Sequence, residues 1–330
     1  MKSVSIIIPN WNGTGLLRAN LPSVLDAGKN YNGNVEIIVV DDASTDTSVA
    51  VLRDEFPGVR LVAHRQNEGF GRACWSGARA AGHPVLIFLN SDVEVSPGFI
   101  APLVGSFDDP AVFAASPLIF DDNQKLSNVT ISIPYYRRGK IRYEPSPLQH
   151  LMHTTPDLPH PWYTLFPPGA AFAVDRTRFI ELQGFDDLFN PFYYEDTDLG
   201  FRAWRRNWKC IVVPASRVTH HHSGTIARSF KKFKISAIRK RNRLFYLWKN
   251  LTSSKLLGQH IFFQLLRICY RPFFLDGMVL IATILAVPGF RRAIGRRWAE
   301  QECAVNSEEA IFRIISSTNQ ANRRVIESAD

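Results

Sequence analysis

The chain has 330 residues, of which 45% are hydrophobic and 12% aromatic, and a formal net charge of +9. That length buries a full core and carries one large domain plus an appendage, and the apolar content excludes a disordered protein. The charge is uneven: no Asp or Glu occurs between Leu199 and Leu275 while Arg and Lys are dense there, which points to an anionic partner such as a phosphorylated small molecule, an acidic lipid or a nucleic acid.

Taken in order, Ser3–Pro9 is a β-branched run expected to form a buried parallel strand. No basic-then-apolar leader precedes it, so no signal peptide is expected. Asn10–Gly13 reads as a loop, with Thr14 the predicted N-cap of a helix over 15–27. Val35–Val40 repeats the strand pattern and runs into Asp41 and Asp42. A helix is expected over 47–56, ended by Pro57-Gly58, then a short strand over 59–63. Asn67-Glu-Gly-Phe-Gly71 opens a helix to about Gly82, and Pro84–Leu89 is a fourth strand closing on Asn90-Ser-Asp-Val-Glu94. Four strand–loop–helix units predict an α/β fold with a mostly parallel central sheet flanked by helices. Ligands in such sheets bind beyond the carboxyl ends of the strands.

Ala111–Ile119 is another expected strand, and 121–161 has weak periodicity, the mark of a variable segment beside the site. Phe166–Val174 reads as a strand entered through a tight turn of small residues. Glu195, Asp196 and Asp198 then crowd the start of an amphipathic helix, followed by strand Cys210–Val213 and the run His220–His222. Ser236–Lys249 is helical, and 260–298 mixes apolar runs with arginines. The latter suits helices lying in a membrane surface, or a basic helix pair packed on the catalytic domain. Its longest apolar run, Gly277–Phe290, has 14 residues, against about 20 for a span. Asn306–Glu309 caps a last short helix. The four cysteines are widely spaced and form no paired metal motif, so free thiols are expected.

The chemistry lies in the acids. The first strand–helix turn is Pro-Asn-Trp-Asn-Gly, which is not a dinucleotide fingerprint, and no Walker lysine loop follows any strand. A carboxylate after the second strand can accept from a ribose hydroxyl or a base N–H. One after the fourth can hold a hard divalent cation bridging a diphosphate, since magnesium and manganese prefer oxygen ligands. The acids at 195–198 also suit a plain helix start, favoured by the macrodipole. Asp196 and Asp198 lie about 200° apart on a helix, so they cannot share one task. Asp198 is expected to orient the helix by pairing with Arg202, worth on the order of 1 kcal/mol.

The motifs Ser-Ile-Ile-Ile-Pro-Asn-Trp-Asn (5–12), Val-Asp-Asp-Ala-Ser-Thr-Asp (40–46), Asn-Glu-Gly-Phe-Gly (67–71), Phe-Leu-Asn-Ser-Asp-Val-Glu (88–94), Tyr-Glu-Asp-Thr-Asp-Leu (194–199) and the histidine run resemble family 2 glycosyltransferases of GT-A fold. The similarity covers roughly residues 3–250. It is closest to non-processive members resembling bacterial rhamnosyl- and galactofuranosyltransferases of surface polysaccharide assembly. The resemblance implies that Pro9, Trp11 and Asn12 line the nucleotide, that Asp41 and Asp42 meet base and ribose, and that Gly69 and Phe70 sit by base or phosphates. Asn90 and Ser91 belong to the same donor set, Asn90 standing where the family's Asp-x-Asp motif usually has its first acid. Asp92 and His220 would hold Mg2+ or Mn2+, and Asp196 would be the catalytic base, with Glu195 beside it. The spacing of His220 to Thr225 is similar to the family's His and hydroxyl, which leaves His221 and His222 structural or surface roles.

Cys74 and Trp75 stand where relatives often carry asparagines, which bears on donor specificity. Nothing at Arg205–Trp208 matches the Gln-x-x-Arg-Trp motif of processive synthases, so one or a few transfers are expected. The implied activity is inverting, metal-dependent transfer from a UDP- or dTDP-sugar to a lipid-linked glycan at the cytoplasmic membrane face, with no nucleic-acid partner. Residues 1–250 would form the catalytic domain (1–110 the nucleotide half, 111–250 the acceptor half) and 251–330 a helical region attached to anionic membrane. Two alternatives fit less well. A nucleotide-dependent oxidoreductase lacks its glycine fingerprint, and a basic nucleic-acid- or membrane-binding protein leaves the strand-end acids unexplained.

Overall fold

The computed structural model describes residues 1–144, 162–221, 230–270 and 277–327. Strands β1 (Val4–Asn10), β2 (Val35–Asp41), β3 (Arg60–Ala63) and β4 (Val85–Leu89) alternate with helices α1 (Thr14–Lys29), α2 (Ser48–Glu55) and α3 (Phe70–Ala80). All the pairings among these four strands are parallel. β1, β2 and β4 bury nearly every side chain, as continuous apolar runs covered on both faces must. Thr14 is the first helical residue of α1 and not its cap. Its backbone N–H donates to Asp46 Oδ2 at 3.1 Å, so the end of α1 is tied to the loop after β2.

Beyond β4 come β5 (Val93–Val95), α4 (Ile100–Gly105), β6 (Val112–Phe120), the hairpin β7 (Pro134–Arg137) and β8 (Lys140–Tyr143), β9 (Trp162–Tyr163), β10 (Ala171–Asp175), α5 (Arg176–Glu181), α6 (Glu195–Arg205) and β11 (Lys209–His220). The large sheet runs β3-β2-β1-β4-β10-β6-β11-β5, with β9 added on β11. β10 is antiparallel to both β4 and β6, β11 is parallel to β6, and β5 is antiparallel to β11. The sheet is therefore parallel across its first half and mixed across its second. One result matters for the site: β5 leaves the end of β4 and pairs His220 with Val93, so the acids of 92–94 meet the histidine run.

β11 is far longer than the four-residue strand expected. Its second half alternates, with Ser216 and Val218 inward and Ala215 and Arg217 outward, a half-buried pattern that polar residues obscure in the sequence. Within 121–161 a two-stranded hairpin occupies 134–143, and 145–161 lie outside the described residues.

The C-terminal part is α7 (Lys232–Asn250), α8 (Ser254–Tyr270), α9 (Met278–Ala286), α10 (Phe290–Glu302) and α11 (Glu308–Glu327). α9 and α10 pack on α7 with Ala282, Ala286 and Ala293 buried. A single 3-10 turn joins α9 to α10, so Met278–Glu302 forms a helical run of 25 residues. By length and composition alone it could cross a membrane, which the 14-residue apolar run did not suggest. α11 has 20 residues where a short helix was expected, and its Ser307 cap accepts from the N–H of Ala310 at 3.2 Å. All four cysteines are free, Cys74 and Cys210 buried.

Candidate active site

The loops after β1 and β2 are stitched together by their polar side chains. Asn12, at φ 50°, accepts with Oδ1 from the N–H groups of Thr45 (2.7 Å) and Asp46 (3.3 Å), while its own N–H donates to Ser44 Oγ at 2.8 Å. Asp41, 1% exposed, accepts from Ser44 N–H at 2.9 Å and from Asn10 Nδ2 at 3.0 Å. Asp42, 4% exposed, accepts from Glu68 N–H (2.9 Å), Gly69 N–H (2.7 Å) and His64 Nδ1 (2.7 Å), and His64 Nε2 lies 2.9 Å from Ser76 Oγ. Gly69 sits at φ 88°, in the left-handed region that favours glycine, and this turn aims both N–H groups at Asp42. Both aspartates face inward, so contacts with base and ribose would use their remaining lone pairs. Pro9, Trp11, Gly69 and Phe70 are partly exposed around them and Asn12 is exposed. Asn10 was not singled out in the sequence. It is buried, and its Oδ1 has no hydrogen-bond partner among the described residues.

Asp92 and His220 are brought together by the β5–β11 pairing. Asp92 Oδ1 lies 3.1 Å from His220 Nε2, with the side chains 14% and 17% exposed. The two are at hydrogen-bonding distance, and the spacing is also close to the roughly 3.0 Å between adjacent ligands of an octahedral ion with bonds of about 2.1 Å, so the pair is compatible with Mg2+ or Mn2+. Among the described residues no group of three His, Cys, Asp or Glu side chains could hold a metal ion, so Asp92 and His220 would supply two protein ligands. Asn90 and Ser91 precede the pair, Asn90 donating its N–H to Ala170 O and Ser91 accepting from Asn20 Nδ2, both at 2.9 Å. His221 instead bridges Asp122 (2.6 Å) and Glu94 (3.1 Å) at the surface, and these carboxylates raise its pKa. His222 and Thr225 lie outside the described residues.

The first turn of α6 is reached through Tyr193 and Tyr194, both left-handed at φ 74° and 79°. Consecutive non-glycine residues in that region are held by their surroundings and cluster at functional sites. Here the holder is buried Asn242 of α7, whose Nδ2 lies 2.6, 2.9 and 3.0 Å from the carbonyl oxygens of Phe189, Phe192 and Tyr193. Nothing in the local sequence of α7 signals this. Gly200 allows the helix to lie on 165–166, where a Cβ would meet Leu165 O at 2.4 Å.

Asp196 accepts from Gly169 N–H at 3.1 Å with Oδ2, and from Thr197 N–H (2.7 Å) and Oγ1 (3.2 Å) with Oδ1. Burial still raises its pKa. Glu195 is raised well above the carboxylate range, first by burial and then by the neighbouring Asp196 charge, and its sealed Oε2 has no hydrogen-bond partner among the described residues. Donors favour the anion, so of the two Asp196, with three donors, is the more readily ionised.

Asp198 behaves differently. It is fully buried and pairs with Arg202 Nε (2.7 Å), Lys249 Nζ (2.8 Å) and Asn250 Nδ2 (3.0 Å). The expected Arg202 pair is present, and Lys249 extends it to Asp186 at 2.7 Å, so the single helix-orienting pair is part of a buried four-residue ion network.

The structure is thus an α/β fold with a mixed sheet, an Asp–His pair at its strand ends and three carboxylates in the first turn of α6. The chain matches the model of "Glycosyl transferase family 2" over residues 5–158 and that of "Glycosyl transferase family group 2" over 85–305. It belongs to the family 2 glycosyltransferases. Among curated relatives it is 31% identical over 192 residues to mouse polypeptide N-acetylgalactosaminyltransferase 16, covering 56% of this chain and 34% of that one. It is 27% identical over 220 residues to the N-acetylglucosaminyl-diphospho-decaprenol L-rhamnosyltransferase of Mycobacterium tuberculosis, covering 59% and 69%. The chain thus spans about a third of the length of the mouse relative. The fold is shared with GalNAc-T7 solved with UDP, GalNAc and Mn2+ (TM-score 0.58, 21% identity, 77% of this chain and 49% of that one). It is shared also with S. aureus TarS 1–349 in complex with UDP-GlcNAc (TM-score 0.55, 15% identity, 100% and 91%).

Proposed function

We propose that the chain transfers a sugar, with inversion, from a UDP- or dTDP-sugar to a hydroxyl of a lipid-linked glycan. The observation that carries this reading is the placement of α6. Asp196 is anchored to Gly169, whose neighbour Ala170 pairs with Asn90 two residues before Asp92, so base and metal pair flank one strand-end space. Asp92 and His220 would hold the divalent cation, which supplies positive charge to the departing diphosphate. A sugar hydroxyl is a weak nucleophile at neutral pH. Asp196, ionised but of raised proton affinity, accepts its proton as it attacks, while protonated Glu195 keeps a second negative charge away from the incoming oxygen. The strand-end loops, shaped by Asp41, Asp42 and Asn12, present Trp11 and Phe70 to the nucleotide. The mycobacterial relative is named for a diphospho-decaprenol acceptor, which supports the lipid-linked class.

Residues 251–330 would attach the enzyme to the cytoplasmic face of the membrane. Supporting this, Ile261, Phe262, Leu265, Ile284, Val287 and Trp298 are exposed on α8–α10, beside Arg291 and Arg292, and such a mixed surface suits anionic headgroups. The test is purified protein with Mn2+ against a panel of nucleotide sugars, reading nucleoside diphosphate release with and without EDTA. Metal-dependent release from one donor is expected, and undiminished release in EDTA removes the metal assignment. Binding to acidic liposomes should fall as salt rises, whereas equal binding to neutral vesicles at high salt removes the anionic-surface reading.

A further inference from the structure

His64 directly follows β3 and belongs to none of the strand-end motifs. Its side chain is 10% exposed and lies between two others, with Nδ1 2.7 Å from Asp42 Oδ1 and Nε2 2.9 Å from Ser76 Oγ. Its backbone N–H donates to Asp41 O at 2.9 Å, which fixes the ring beside the end of β2. Ser76 reaches the ring because Gly77 lets α3 lie close on the sheet, where a Cβ would meet Ile7 Cγ2 at 2.4 Å and Val40 Cγ2 at 3.1 Å. The same three residue types make the nucleophilic triad of hydrolases, and the helix excludes that use. Ser76 lies inside α3, whose backbone N–H groups are taken up by helical hydrogen bonds, so the helix offers no oxyanion donors beside it.

The relay serves Asp42 instead. The Ser76 hydroxyl can donate to Nε2, which leaves the proton of Nδ1 for the carboxylate. A carboxylate has about four lone-pair sites. Oδ1 of Asp42 accepts from His64 and Glu68 N–H, and Oδ2 accepts from Gly69 N–H. Among the described residues His64 is the one side chain that donates to this carboxylate, so it sets the rotation of the group that closes the turn at Gly69. We infer that His64 is a positioning residue for the nucleoside end of the donor: through Asp42 it fixes the turn that presents Gly69 and Phe70 to the nucleotide. The inference rests on the nucleotide-sugar reading and adds to it a residue that touches no ligand. It also ties α3 to the ends of β2 and β3, so the elements that would wall the nucleoside are held as one unit.

Two substitutions of similar size separate the two links of the ring. An asparagine amide nitrogen can stand where histidine has Nδ1, and a glutamine amide nitrogen where it has Nε2. His64→Asn therefore keeps the donor to Asp42 and gives up Ser76, whereas His64→Gln keeps the Ser76 contact and gives up Asp42. UDP and dTDP are titrated by calorimetry, with Mn2+ present, into wild type and both variants. The temperature is one at which urea denaturation shows all three folded, so that stability does not enter. His64→Asn should bind within about threefold of wild type, and His64→Gln should lose about tenfold or more, the scale of a hydrogen bond to a charged group. Wild-type affinity in His64→Gln overturns the inference, as does a loss that is equal in the two variants or larger in His64→Asn. A wild type that binds neither nucleotide sinks the nucleotide-sugar reading and the inference with it; the other adverse results remove the inference alone.

Discussion

Asp41 and Asp42 at the end of β2 are ringed by donors: backbone N–H groups of Ser44, Glu68 and Gly69, with Asn10 and His64. Glu195 and Asp196 at the start of α6 are also withdrawn from water, yet three donors serve Asp196 and Glu195 Oε2 has none among the described residues. The first pair spends its hydrogen-bonding capacity on shaping two loops. The second keeps proton affinity in reserve. Carboxylates that look alike in sequence thus differ in their surroundings, above all in the partnerless Oε2 of Glu195, and under the proposed function that difference separates architecture from chemistry.

The sharpest break of this comparison is Asp196→Asn. It keeps size and most hydrogen bonding but removes the proton acceptor, so transfer should fall about 10²–10⁴-fold with nucleotide-sugar affinity by calorimetry unchanged. Lost donor affinity would move Asp196 into the donor or metal site. Next comes Asp198→Asn, which leaves Arg202 and Lys249 buried without their shared anion. Breaking such a network costs about 3–5 kcal/mol, to be read by chemical denaturation, well above the pair expected from helical spacing alone. Asp42→Asn should cost about 1.5–3 kcal/mol by the same measurement, the scale of a hydrogen bond to a charged group. Full stability in that variant would separate the loop from its proposed anchor.

The smallest effect is with pH. Folding raises the proton affinity of Glu195 and Asp196, so between the ordinary carboxylate range and the raised values the folded chain binds more protons than the unfolded one. Stability contributed by this pair therefore falls as pH rises through that window and is level above it. Transfer should rise over the same interval as Asp196 loses its proton. Glu195→Gln should flatten the stability trend, seen as melting temperature against pH, and an unaltered slope would deny the raised affinity of Glu195.

The parallel half of the fold was legible because each apolar run is long, local and ended by polar residues, as at Val35–Asp41 and Val85–Leu89. The Asp198–Arg202 pair was legible too, since four residues on a helix are neighbours. What sequence withheld was set by distant partners. Asn242 holds carbonyls about fifty residues earlier, β5 turns away to meet β11, and Asp46 displaces Thr14 as the helix-end partner from 32 residues away. None of these leaves a periodic trace, because periodicity records which face is buried and not what covers it.

One such distant contact constrains how the protein is made. Asn319 of α11 clasps both backbone groups of Tyr163, accepting from its N–H at 3.0 Å and donating to its carbonyl at 2.7 Å, across 156 residues of sequence. Glu308 at the head of that helix receives the N–H groups of Thr252 and Ser253 and faces buried Arg205. During synthesis, α6 and β9 leave the ribosome long before these partners exist. At about 5–20 residues per second, the nascent chain passes many seconds with a buried-to-be arginine and a sheet edge uncovered. If the chain folds as it is made, α11 would therefore dock on elements completed long before it.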